Sequence, residues 1–294
     1  MTDVAVVLMA YGSPERLEDV PAYYADIRGG RPVRPELLAD LVTRYGALGI
    51  EDESPLNAIT EETRAALERD LGVPVFTGMK HWHPRIADAV ARALEAGATT
   101  IVGLVLAPHY SRLSIGDYRE QVERALAGRA ELVFVESWHD DPGFVDFLAD
   151  RVGGTDRHVV FTAHSLPARI LDEGDPYQDQ LLETARLVAE RAGVSDWSFS
   201  YQSESETGEP WLQPDILDHL EDLHGRGVRR VLLCPIGFVS DHLEIRWDLD
   251  TEAVEKARAL GLELERIEMP NADPRFVWVL AALVRAALSE RVGG

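Results

Sequence analysis

The chain repeats itself. AYGSPERL at residues 10–17 aligns with AHSLPARI at 163–170, EAGATTIVGLVLAP at 95–108 has the sense of HGRGVRRVLLCP at 224–235, and DPGFVDFLADRV at 141–152 matches DPRFVWVLAALV at 273–284. Landmarks that recur in one order mark a duplicated unit, with the join near Gly153-Gly154 and halves at 1–153 and 154–294. In the first half, residues 4–9, 75–79, 101–107 and 132–136 are short, β-branched and nearly continuous in hydrophobicity, as parallel strands covered on both faces are. Helical patterns fill the gaps, one over 60–71 with early glutamates and one over 84–96 with proline in its first turn and an end at Gly97. Each half therefore reads as an α/β domain on a parallel sheet.

Ligands of open parallel sheets sit outside the carboxyl ends of the strands. Two such domains facing each other enclose a cleft whose walls carry equivalent positions, and Tyr11 and His164 are such a pair. Tyr11 lies 97 positions before Pro108, whereas His164 lies 71 before Pro235, so the first half carries about 26 more residues. The insert reads as residues 24–55 and holds four arginines in a chain with 29 basic and 51 acidic residues and a formal charge of -22. That balance argues against a nucleic-acid partner or an anionic membrane surface, and a basic insert over an acidic cleft points to an anionic ligand. The single cysteine, Cys234, permits neither an internal disulfide nor a cysteine-held cluster, and its apolar surroundings make it a core residue of a reducing compartment. The opening MTDVAVVLMAYG reads as a first strand, without a basic leader and too short to span a bilayer. The expectation is a cytoplasmic monomer without a transmembrane segment.

After the strand-like run that ends at Val239, Asp241, His242, Glu244, Asp248, Asp250 and Glu252 follow within about a dozen positions. On an α-helix Glu244, Asp248 and Glu252 would be spaced i, i+4, i+8 and form one ridge. Such a ridge is either a solvated helix face or a ladder of hard oxygen ligands for a divalent cation. His164 closes the run VVFTA at the cleft, where an imidazole is either a hydrogen-bonded loop residue or a base and metal ligand. The KHWH run at 80–83 lacks a third ligand nearby and reads as cleft-lining or structural.

MAYGSP, IRGGRP, TRY, SPLNAIT, GMKH, LAPHYS, AHSLP, QSE, PIGFVSDHLE and MPNA occur in order through nearly the full length. Together they resemble the ferrochelatases, and the AYG turn is similar to that of the coproporphyrin ferrochelatases of monoderm bacteria. The resemblance implies a chelatase-like duplication of two three-layer α/β/α domains, each with a four-stranded parallel sheet, and insertion of ferrous iron into a porphyrin. It places the catalytic and metal-binding pair on His164 and Glu244, and on Tyr11 the tyrosine that reaches the product iron. Porphyrin contacts fall on Arg28, Arg44, Tyr45, Ser54 and Tyr118. An outer metal ridge, with room for a second divalent cation, falls on Asp248 and Glu252. Beyond the substrate Fe2+ no cofactor is implied, and one cysteine cannot hold the iron-sulfur cluster that some relatives carry. Two departures stand out: Arg28-Gly29-Gly30-Arg31 replaces the RRG of many members, and IEDE before Ser54 sets acid beside the expected carboxylate contacts. A protoporphyrin IX ferrochelatase, a sirohydrochlorin cobalt chelatase and a non-enzymatic porphyrin carrier are the rival readings; a carrier has no use for the acidic ridge.

Overall fold

The computed structural model describes residues 3–49, 55–205 and 208–293. It contains two four-stranded sheets, all of whose pairings are parallel. The first holds β1 (Val4–Ala10), β2 (Val75–Met79), β3 (Thr100–Val105) and β4 (Glu131–Val135) in the order β2-β1-β3-β4. The second holds β5 (His158–His164), β6 (Trp197–Gln202), β7 (Arg230–Cys234) and β8 (Glu263–Arg266) in the order β6-β5-β7-β8. The same crossover pattern twice is the duplication read from the repeats. Central β1 and β5 are buried along almost their whole length, which is why β1 is apolar throughout and β5 carries the continuous run Val159–Phe161.

The two units exchange a helix. Asp141 caps the helix Pro142–Val152 by accepting from the Phe144 N–H, and Pro142 supplies its first turn. This helix packs against the helix Tyr177–Ala192 of the second unit, while Pro274–Gly293, which follows the matching Asp-Pro pair, packs on β4 and the helix Pro55–Leu71 of the first. The largest core cluster therefore runs through both halves, from Val6 and Leu67 through Phe144 and Phe147 to Phe161, Leu181 and Phe276. Phe276 is fully buried and its ring lies 6.0 Å from those of Trp138 and Phe147. The exchanged helices approach closely at Gly143, where a Cβ would stand 2.9 Å from Val279.

The helix Val20–Ile27 runs into the insert and the helix Pro35–Ala47 lies within it. Val20, Tyr23 and Tyr45 make a small core of their own, against which Trp82 and, from the second half, Leu243 pack. The insert is thus fixed across the carboxyl ends of the strands of both units. Among the described residues no helix is long and apolar enough to cross a membrane.

Candidate active site

His164 is the last residue of β5, and the backbone around it is held on three sides. The Ser165 N–H donates to Gln202 O at 2.7 Å, the Ser165 hydroxyl to Leu212 O at 2.9 Å, and the Tyr177 hydroxyl to His164 O at 2.9 Å. The ring donates Nδ1–H to the Ser165 carbonyl, which leaves Nε2 facing Glu244 Oε1 at 3.5 Å. Trp211 and Phe238 flank the ring at 6.3 and 6.5 Å between centroids. Glu244 meets a second imidazole on its other oxygen: His242 donates Nδ1–H to Ser240 O at 2.9 Å and sets Nε2 3.5 Å from Oε2.

These contacts fix the charges. Burial alone would depress the His164 imidazole, but the carboxylate of Glu244, the Ser165 carbonyl and the more distant Asp248 outweigh it and raise its pKa to about 9. Burial would likewise raise Glu244, yet His164 and His242 hold it far below the usual carboxylate range. The pair is an imidazolium and a carboxylate at neutral pH. Asp248 is pushed the other way, to about 7, by burial and then by the charge on Glu244, although Ser203 and Arg44 favour its ionised form.

The acidic run after Val239 divides by partner. Arg266 holds Asp241 at 3.2 Å and Asp250 at 2.7 Å, so two of its carboxylates are structural. Asn271 locks the same turn: its side chain exchanges two 2.8 Å hydrogen bonds with Asp241, and its φ of +49° is a left-handed conformation that asparagine tolerates. Asp248, only 7% exposed, accepts from the Ser203 hydroxyl and lies 3.7 Å from Arg44. Glu252 is half-buried.

The segment that carries Glu244, Asp248 and Glu252 is not the α-helix assumed from their spacing. Residues Ile245–Ala253 form a π-helix that passes into the helix Val254–Leu260. Its i→i+5 turns are wider than α turns, and Ile245, Leu249, Ala253 and Ala257, each four apart, all reach the core. The carboxylates precede three of these residues by one position and so flank the buried face, with Asp248 turned inward. Among the described residues no group of three or more His, Cys, Asp or Glu is arranged to hold a metal ion. The expected outer ridge therefore has no preformed cage for a second cation there, and any metal bound at His164 and Glu244 must draw further ligands from elsewhere.

The opposite wall begins at Tyr11, directly after β1. Gly12 turns the chain there with φ +84°, and a Cβ on it would stand 2.9 Å from that of Trp82. The Tyr11 ring is 42% exposed and stacks obliquely on His81 at 4.6 Å, which Asp26 holds through Nδ1 at 2.9 Å. Asp26 also takes Arg85 at 2.9 Å, so the KHWH run supplies a scaffold behind Tyr11. Crowding by protein and the charge on Glu244 raise the Tyr11 hydroxyl above the ordinary phenol range. Arg28 is half-buried, and its Nε has no partner among the described residues. Tyr45 and Tyr118 are each 4% exposed, the first 3.3 Å from Ser13 Oγ and the second under the Lys80 ammonium. Ser54 lies outside the described residues.

The sequence profile of the ferrochelatase family matches residues 3–288. The chain belongs to the ferrochelatases. A ferrochelatase of Herpetosiphon aurantiacus is 44% identical over 95% of this chain and 97% of its own length, and the coproporphyrin III ferrochelatase of Bacillus subtilis is 41% identical over 96% of each. Among solved structures, Bacillus subtilis SirB with Fe3+ aligns over 99% of this chain and 97% of its own with a TM-score of 0.63, at 13% identity, a likeness of fold. The enzyme is thus a porphyrin-metallating lyase of haem synthesis whose substrate metal is Fe2+. Sequence reasoning for this ferrochelatase gave His242 no role of its own and passed over Ser203, Trp247 and Arg266. For His242 the signal was its place two residues before Glu244 in the same turn; the other three carry none that a single sequence discloses.

Proposed function

We propose that this ferrochelatase inserts Fe2+ into coproporphyrin III to give coprohaem, with His164 and Glu244 as its reacting pair. The observation that carries the reading is the His164–Glu244 contact itself: with Nδ1–H committed to the Ser165 carbonyl, Nε2 is the ring nitrogen left for chemistry. Metallation expels two pyrrole protons and exchanges the water shell of iron for four ring nitrogens, so the site needs a proton acceptor and a metal handler. Nε2 is protonated in the resting pair, so it takes up either task only after releasing that proton, and Glu244 takes the other. Tyr11 faces the product iron from the opposite wall, and Asp248 and Glu252 lead the cation inward. Arg28, Arg44, Tyr45, Ser54 and Tyr118 border the macrocycle, in a cytoplasmic monomer with no nucleic-acid partner.

The choice of coproporphyrin rests on the named relatives and on the unsatisfied Nε of Arg28, a donor suited to a propionate. Anaerobic incubation with Fe2+ and either coproporphyrin III or protoporphyrin IX, followed by absorption, tests it. Faster metallation of coproporphyrin III is expected, with the preference eroded in Arg28→Gln. Porphyrin binding without turnover would make the protein a carrier, and faster protoporphyrin IX turnover would move it to the other branch.

A further inference from the structure

We propose that Arg44 is a carboxylate-operated lock on the cation path, a specificity device that admits metal only when the tetrapyrrole is in place. The inference rests on the functional reading above. Arg44 belongs to the helix Pro35–Ala47 of the first half, yet its guanidinium reaches the second: Nη1 lies 3.7 Å from Asp248 Oδ1, and the group stands 5.5 Å from the centre of the Trp247 ring. Its Nε is bonded to Asp40 of its own helix at 2.8 Å. The other oxygen of Asp248 accepts the Ser203 hydroxyl. Both oxygens of the inward-turned carboxylate are therefore engaged, and a fixed positive charge stands where a dication would have to pass.

The lock is built to open. At 3.7 Å, through one nitrogen, the Arg44–Asp248 contact is long and single, whereas a guanidinium grips a free carboxylate through two parallel hydrogen bonds. A propionate arriving at the insert competes for Arg44 on favourable terms. The Trp247 indole N–H, buried and without a partner among the described residues, adds a neutral donor on the same wall. Once Arg44 turns to the substrate, Asp248 Oδ1 is uncovered, and an arriving dication replaces the guanidinium as its counter-charge on the way to Glu244. Porphyrin binding then precedes and promotes metal binding, and iron is not held by an enzyme that has nothing to put it in.

The test is Mn2+ affinity, read by electron paramagnetic resonance of the free ion, in the substrate-free enzyme and with an N-methylated coproporphyrin that resists metallation. The Arg44 side chain is 32% exposed on a helix face, so Arg44→Gln is expected to fold. It should bind Mn2+ at least tenfold more tightly than the wild type without porphyrin; Arg44→Lys, which keeps the charge, should not. The N-methylated porphyrin should raise wild-type affinity by a similar factor and leave Arg44→Gln nearly unchanged. Adding Asp248→Asn should cancel the gain. Equal Mn2+ affinity of wild type and Arg44→Gln, or a gain that survives Asp248→Asn, overturns the lock. Iron insertion by the wild type, measured on the same preparation, separates the two ideas. Turnover with equal affinities discards the lock alone, and no turnover with no effect of the porphyrin discards both.

Discussion

Gly237 is a position where one methyl group should disable the enzyme. It lies in the turn between β7 and the Glu244 segment, and its N–H donates to Thr162 O at 3.2 Å. A Cβ built there would stand 2.6 Å from Ala163 Cβ, 2.9 Å from Ala163 Cα and 3.7 Å from His164 N. Carbon atoms at rest keep about 3.5–4.0 Å, so the overlap is roughly 1 Å, and part of it is against backbone that no rotamer change can move. The φ of Gly237 is outside the left-handed region, so Gly237→Ala adds no left-handed strain and acts chiefly through this overlap. Overpacking of this kind costs about 1–3 kcal/mol. The strand end and the turn must part, and they carry His164 and Glu244, whose 3.5 Å contact is the centre of the site. Misplacing reacting groups by about 1 Å lowers rates by roughly 100-fold. Urea unfolding and anaerobic kcat should show both losses. Gly225→Ala is the control: nothing lies within 4 Å of its added Cβ, and stability and rate should be kept or slightly improved. Wild-type midpoint and kcat in Gly237→Ala would refute the claim that Gly237 sets the spacing of the pair.

Three further outcomes are expected. In Glu244→Gln, the pKa of His164, followed by NMR of labelled histidine, should fall well below about 9, since burial is then opposed only by the Ser165 carbonyl and the more distant Asp248; a value still near 9 would assign the shift to another group. The folded value lies above the unfolded one, so the stabilisation is complete below pH 6.5 and is lost as pH rises through about 9, and the stability gap between wild type and Glu244→Gln should shrink over that window. Phe276→Ala, at the crossing of the exchanged helix with the shared core, should cost about 3–5 kcal/mol and destabilise both units in one transition; separate transitions would mean the units fold independently. Cys234, fully buried with its thiol pushed up by burial, should resist iodoacetamide until the protein unfolds.

Much of the architecture was legible because it is written twice. Buried parallel strands need continuous apolar runs, and the three landmarks that recur in order at 10–17 and 163–170, 95–108 and 224–235, and 141–152 and 273–284 point to two like α/β halves. The exchange of helices was not legible. Pro142–Val152 and Pro274–Gly293 start with the same Asp-Pro signal and bury similar faces, and nothing local says which sheet each covers. His164 and Glu244 were singled out by their places at the end of a strand and after a turn, together with the family resemblance, and the structure sets them 3.5 Å apart. The π-helix was missed because four-residue spacing was taken for an α ridge. The trace was there in Ile245, Leu249, Ala253 and Ala257, a run of four-residue steps with no three-residue step among them. The burial of Tyr45 and Tyr118 depends on Tyr23, Ser13 and Lys80, long-range neighbours that no pattern within those segments announces.

The most direct measurement is single-turnover insertion of Fe2+ into coproporphyrin III by wild type and His164→Ala under anaerobic conditions, with porphyrin binding measured in parallel by fluorescence quenching. Truncation of a side chain at the mouth of a strand should leave folding and porphyrin binding nearly intact while insertion is lost. Substantial insertion by His164→Ala would contradict the account, because it would remove from the chemistry the imidazole that ends β5 and faces Glu244 at 3.5 Å.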